Sequence, residues 1–249
     1  MPFSSTFPLL SGAISPDIVM QSIAMHIGWA LVLGAITAFL LRPFPKRLRI
    51  AGVALIMLAC LMPGEWSPTW WLGLAFQTPS LTSQGLAFLY LMRMWHLKNV
   101  PPTDTVATTA YARWPNSLLL LATALGWIFA LDTFAAFDLQ LYAIGFSSYA
   151  VLATLLLAAM LQLLSMRSGD TPQTQRHRDL AAILVGAMAI HLLTRLPTGN
   201  AWDALMDPWL WLSAQAIWLS RALVWLALLA RVKSRQASEW ITAAIGKAR

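Results

Sequence analysis

Residues Gln77-Thr78-Pro79-Ser80-Leu81-Thr82-Ser83-Gln84-Gly85 place six uncharged polar side chains in nine positions, inside an otherwise apolar run. Amides and hydroxyls of this kind coordinate ions and small solutes when the backbone beside them is unwound. Pro79 supplies the unwinding, because it has no N–H for the carbonyl of Ala75 and its ring crowds the preceding turn. Gln77, Ser80, Thr82 and Gln84 are therefore expected to line a polar pathway. The same pattern also fits a proline kink healed by neighbouring hydroxyls, or a re-entrant segment over residues 66–79.

A second set of groups is charged or titratable. Asp132, His191, Arg195 and Arg221 all fall in apolar stretches, where ionisable side chains are costly and point to function. His191 and Arg195 are four residues apart, a spacing that puts them on one helix face. Arg221 cannot neutralise itself and needs a partner. Asp132 is the expected one, with Gln215 nearby on the helix of Arg221. Asp132 and His191 would carry or sense protons along the pathway. Alternatively, Arg195 and Arg221 would clamp a lipid-linked anion with His191 as general acid or base. No nucleophile or acidic metal motif accompanies them, so no catalytic residue is assigned and an enzyme is the less favoured reading.

His26 and His191 are the two histidines deep in apolar segments, and a facing pair would suit a b-type haem. Hydrogen bonding within a helix bundle is the plainer role for both. A lone Cys60 excludes an internal disulfide or CxxC site, and no HExxH or phosphate-cradling glycine loop is present. Asp203 and Asp207, at i and i+4, would share a face of a short outer surface helix led by the turn Pro197-Thr198-Gly199-Asn200.

These groups need elements to hold them. The chain has 249 residues, of which 58% are hydrophobic and 11% charged, with mean hydropathy +0.63. Soluble domains carry about 25% charged residues, so this composition excludes a soluble enzyme, a secreted disulfide scaffold and a disordered regulator. The expectation is an all-α, polytopic membrane helical bundle. Seven segments suit a core that needs about 20 apolar residues per helix. They run roughly over 18–41, 49–66, 70–95, 115–137, 140–165, 180–197 and 209–231.

Charge placement is an independent test. All Lys and Arg except Arg195 and Arg221 fall in alternate connections, at the segment ends that border those connections, or at and after the end of the last segment. By the positive-inside rule the N-terminus is outside and the C-terminus cytoplasmic. Asp17, Glu65, Asp132, Asp138, Asp203 and Asp207 lie towards the outer side. Trp66, Trp70, Trp71, Trp202, Trp209 and Trp211 would form the outer aromatic belt, with Trp95 and Trp114 at the inner boundary. Small residues at four-residue spacing, Ala30/Gly34/Ala38 and Ala182/Gly186, allow close helix approach.

The chain thus divides into an outer segment 1–17, a transmembrane domain 18–231 and a cytoplasmic tail 232–249. In the tail, Trp240, Ile241, Ala244, Ile245 and Ala248 would form an amphipathic surface helix capped by Ser238. The N-terminus lacks the features of a removable signal peptide. Basic residues scattered between apolar runs do not make a nucleic-acid face; they suit anionic lipids at the cytoplasmic surface. The leading functional expectation is a transport or translocation component of a bacterial inner membrane. The rivals are a non-catalytic accessory or assembly subunit with membrane-protein partners, a redox complex among the candidates, and the lipid-anion enzyme.

Overall fold

The computed structural model describes residues 15–96, 116–134, 140–167, 169 and 171–247. Lys98, Asp104, Arg113, Trp114, Asp138 and the first fourteen residues, which figured in the charge and domain arguments, lie outside them, as do residues 248–249. The described residues form helices and connections with no strand. The helices are α1 (Ile18–Leu40), α2 (Lys46–Cys60), α3 (Pro68–Phe76), α4 (Leu81–His96), α5 (Asn116–Thr133), α6 (Leu141–Ile144), α7 (Ser148–Arg167), α8 (Pro172–Thr194), α9 (Ala201–Leu205) and α10 (Pro208–Lys247). Four segments, Ile18–Leu40, Ser148–Arg167, Pro172–Thr194 and Pro208–Leu228, are long and apolar enough to cross a membrane, and Leu119–Asp132 is a shorter apolar one. That is consistent with an integral membrane protein.

Local signals set the helix ends. Asp17 caps α1, its Oδ1 accepting from the N–H of Val19 at 2.9 Å and of Met20 at 3.1 Å; such a cap is worth about 1 kcal/mol. Helix α8 starts with Pro172 and a capping box in which Thr171 and Thr174 satisfy each other's backbone N–H. It therefore begins eight residues before the expected start at 180. Helix α2 ends at Cys60, short of the expected 66. The Cys60 carbonyl accepts from the hydroxyls of Ser67 (3.0 Å) and Thr69 (2.9 Å), which close that end inside the protein.

Small residues decide which faces meet, because apolar side chains gain nothing by leaving lipid for protein. Ala30 and Ala38 are buried with Gly34, whose bare Cα faces Met57 of α2 and Leu91 of α4. The α3–α4 pair runs alongside α1 in the same direction, with Gly73 against Met25 and Gly34 against Leu91. Helix α8 runs antiparallel to α4: Gly85 abuts Ile183, Leu81 packs with Met188, and Arg93 pairs with Asp179 at the far end. The α7 face that meets α8 is Ala150/Thr154/Ala158/Leu161/Ser165, buried along its length, packing on Ala181 and Leu184. The expected Ala182/Gly186 stripe is not the seam. Ala182 is exposed and nothing lies within 4 Å of a Cβ built on Gly186.

Three further expectations are corrected. The segment after α8 is not a surface helix. Asn200, Ala201 and Ala204 are fully buried, and Ala204 packs with Leu81, Ala187 and Met188, two turns back from the end of α8, so the chain folds back into the bundle. Trp209 is not a boundary anchor. It meets Trp29 and Phe76 edge-to-face, with ring centroids 5.9 Å and 4.9 Å apart, and Trp29 lies near the midpoint of α1. Helix α10 continues unbroken through Ser238 to Lys247, so Ser238 starts no separate helix.

Candidate functional site: a self-capped break between two helices

The expected third span is two helices. Helix α3 ends at Phe76, α4 starts at Leu81, and the four residues between are largely buried, Ser80 completely. Gln77 turns the chain with φ 58° and ψ −148°, a conformation that costs a non-glycine residue roughly 1–3 kcal/mol. The strain persists because the surroundings hold it. The Gln77 carbonyl accepts from Trp29 Nε1 at 2.8 Å, and the Gln84 amide donates to the Pro79 carbonyl at 2.8 Å. Opposite, α1 carries Gly28, where a Cβ would stand 2.9 Å from Gln84 Nε2 and 3.2 Å from Pro79 Cδ. Only a glycine leaves room for the break without displacing either.

The start of α4 is capped from far along the sequence. Asp207 Oδ2 accepts from the Ser80 N–H at 2.7 Å, while its Oδ1 accepts from the Leu210 N–H at 2.7 Å, in the first turn of α10. One carboxylate, only 8% exposed, thus sits between the positive ends of two helices. The Ser80 hydroxyl accepts from the Ser83 N–H at 3.1 Å, and Thr82 Oγ1 donates to the Ala204 carbonyl at 3.4 Å. Two buried donors near this junction have no hydrogen-bond partner: Ser83 Oγ and Trp209 Nε1.

Of the residues expected to form a pathway, Ser80, Thr82 and Gln84 therefore come together at the break with the Gln77 carbonyl, while the Gln77 side chain is exposed. The titratable set lies elsewhere. Asp132 Oδ2 accepts from the Tyr142 N–H at 2.8 Å, at the start of α6. The expected Asp132–Arg221 pair is ruled out by register. Gly126 of α5 abuts Trp211 of α10 and the helices run antiparallel, so Asp132 and Arg221 are offset in opposite directions by about 24 Å in total at ~1.5 Å per residue. Arg221 instead lies over the Trp218 ring, 5.5 Å from its centroid. The Gln215 oxygen, in the orientation that satisfies both indoles, accepts from Trp127 and Trp211 at 3.0 Å each.

Arg195 follows His191 by one turn, its N–H donating to the His191 carbonyl at 2.7 Å, but it ends the helix instead of continuing it. It is the C-cap of α8, in the left-handed region with φ 60° and ψ 14°. His191 is 1% exposed and its Nδ1 bonds the Leu196 carbonyl at 2.8 Å. Both line a pocket of about 480 Å³ between α7 and α8. His26 Nδ1 bonds the Ser22 carbonyl of its own helix at 2.9 Å. The pocket that His191 lines has no α1 residue in its wall, so it does not present the two imidazoles to one haem. Among the described residues no cluster of three metal-ligating side chains occurs.

Sequence reasoning missed Asp207, reading it as a surface acid. The Asp-Pro-Trp start of α10 is a recognisable cap signature, with Pro at N1. Nothing in the sequence tells that the second oxygen of that cap serves another helix 127 residues away. No protein-family model, curated protein or solved structure matches this chain, so the reading of function rests on the geometry above.

Proposed function

We propose that this protein is a membrane transport or translocation component, threaded seven times through a bacterial cytoplasmic membrane with its N-terminus outside. Its working centre would be the α3–α4 break. The observation that carries this reading is the Asp207 carboxylate held between the N-termini of α4 and α10 at the depth of the midpoint of α1. Buried ionisable groups at that depth mark ion and proton pathways, and paired half-helix ends are where transporters hold charge. Protonation of Asp207 would remove the charge that both helix ends share and weaken both caps together. The starts of α4 and α10 could then part, and the unpartnered Ser83 Oγ and Trp209 Nε1 supply donors for a solute or ion at the opening. The alternating direction of successive segments along the chain, with α3 and α4 counted as one, supports the seven-crossing path. Basic residues Arg47, Arg93, Arg167 and Arg178 fall at one end, with Asp17, Glu65, Asp132 and Asp203 at the other.

Proton flux into vesicles holding trapped pyranine, driven by a potassium diffusion potential, tests the centre. A protein-dependent flux that is lost in Asp207→Asn, at a temperature where that variant stays folded, is expected. Equal flux in the two proteins would remove Asp207 from the mechanism. Silent vesicles together with stoichiometric co-purifying membrane proteins would favour the accessory-subunit reading. Topology is tested on a Cys60→Ser background: Glu65→Cys should react with an impermeant thiol reagent from outside, and Arg47→Cys only after lysis.

A further inference from the structure

We infer that the pocket between α7 and α8 is a binding site for one anionic phospholipid, with its phosphate at Arg195 and an acyl chain along α7. The wall is sorted by polarity along the helix axis. At one end stand Ser147, Ser148 and Arg195, beside Gly145 and Phe146, with His191 reaching up from one turn deeper on α8; one to two turns further along α7 come Val151, Leu152 and Leu155, with Leu192 opposite. A soluble anion would have no use for the apolar half, whereas a lipid has a part for each.

The polar end is short of negative charge. Arg195 forms no ion pair or hydrogen bond through its guanidinium among the described residues, and an unpaired guanidinium lining a pocket between two apolar helices calls for an anion. Its left-handed backbone starts the turn that carries the chain away from α8 and leaves the side chain at the pocket. The first turn of α7 adds backbone N–H groups and the positive end of a 20-residue helix. His191 Nδ1 donates to the Leu196 carbonyl, which fixes the tautomer and leaves Nε2 as the ring atom available to a headgroup hydroxyl. Asp203, beside the rim, makes no ion pair with Arg195; its Oδ2 accepts from the hydroxyls of Tyr142 (2.7 Å) and Thr198, which orient the carboxylate towards them. The volume of about 480 Å³ suits a phosphoglycerol headgroup and the upper part of one chain. The remainder would lie on side chains that already face outward, such as Leu152 at 55% exposure and Leu156 at 62%.

This site is independent of the α3–α4 break, so either proposal can fail alone. The test titrates full-length protein, delipidated in neutral detergent, with phosphatidylglycerol, and counts retained lipid by native mass spectrometry. Arg195→Gly removes the guanidinium while suiting the left-handed backbone, so lost binding is not lost fold; unchanged helicity by circular dichroism checks this. At least a tenfold weaker affinity for phosphatidylglycerol is expected in Arg195→Gly, with Leu152→Asn also weakening it. Equal retention in wild type and Arg195→Gly would overturn the proposal, as would phosphatidylcholine binding as tightly as phosphatidylglycerol. Full displacement by millimolar inorganic phosphate, with Leu152→Asn silent, would make this a free-anion site and overturn the lipid assignment.

Discussion

Asp207→Ala is the most informative single substitution. The change removes the acceptor for two backbone N–H groups, Ser80 and Leu210, each at 2.7 Å from a carboxylate oxygen in a buried setting. Hydrogen bonds to a charged group contribute about 1.5–3 kcal/mol each, so the loss is about 3–6 kcal/mol. At roughly 2–4 °C per kcal/mol for a chain of this size, the apparent Tm falls by roughly 6–24 °C. Asp207→Asn keeps one acceptor oxygen and turns an amide N–H₂ towards the second donor, so it loses about half as much or somewhat more. The chain carries its own reporter: Cys60 is the single cysteine and is fully buried, so a thiol-reactive fluorophore added during a thermal ramp in detergent lights up as the fold opens. Asp17→Ala is the control, an exposed single-helix cap worth about 1 kcal/mol. An Asp207→Ala protein melting within 2 °C of wild type, or no lower than Asp17→Ala, would refute the claim that one carboxylate joins the two helix ends.

Other substitutions probe the elements around both sites. Gly145→Ala would set a methyl group 1.8 Å from Asn200 Oδ1, displacing the side chain that caps Trp202 and donates to the Tyr142 carbonyl; a loss of roughly 2–5 kcal/mol is expected in denaturant titration. Arg195→Gly should raise the apparent Tm, because a left-handed C-cap costs arginine about 1 kcal/mol that glycine avoids; a lower Tm would contradict the observed backbone conformation. Arg93→Ala should destabilise by about 1 kcal/mol or less, since the Arg93 side chain is 39% exposed. The exchange Arg93→Asp with Asp179→Arg should recover most of that loss, and failure of the exchange to do better than Arg93→Asp alone would show that the pair does not join α4 to α8.

The sequence by itself determined that the chain is helical and suited to lipid, that the third apolar run breaks at Pro79, and that Ala30/Gly34/Ala38 is a packing face. Each follows from a local rule: apolar length, the missing proline N–H, and the small radius needed where helices touch without a hydrophobic drive. Partner choice was not local. Asp132 looked like the counter-charge of Arg221 because both are rare charges in apolar runs, yet the antiparallel register of Gly126 on Trp211 sends them apart. Asp207 looked like a solvated acid because its neighbours include Asn200, Asp203 and a proline. Only the fold-back of residues 196–207 into the bundle carries it to the start of α4. His191 and Arg195 were legible as neighbours through their four-residue spacing, and the Arg195 N–H does donate to the His191 carbonyl at 2.7 Å; that Arg195 closes the helix in the left-handed region was not. What the tertiary structure adds is the turn at the end of α8, which places both beside the first turn of α7. Hydropathy and helix period record what each segment prefers to touch in general; which carboxylate meets which helix end depends on inter-helix register, a property that no single segment contains.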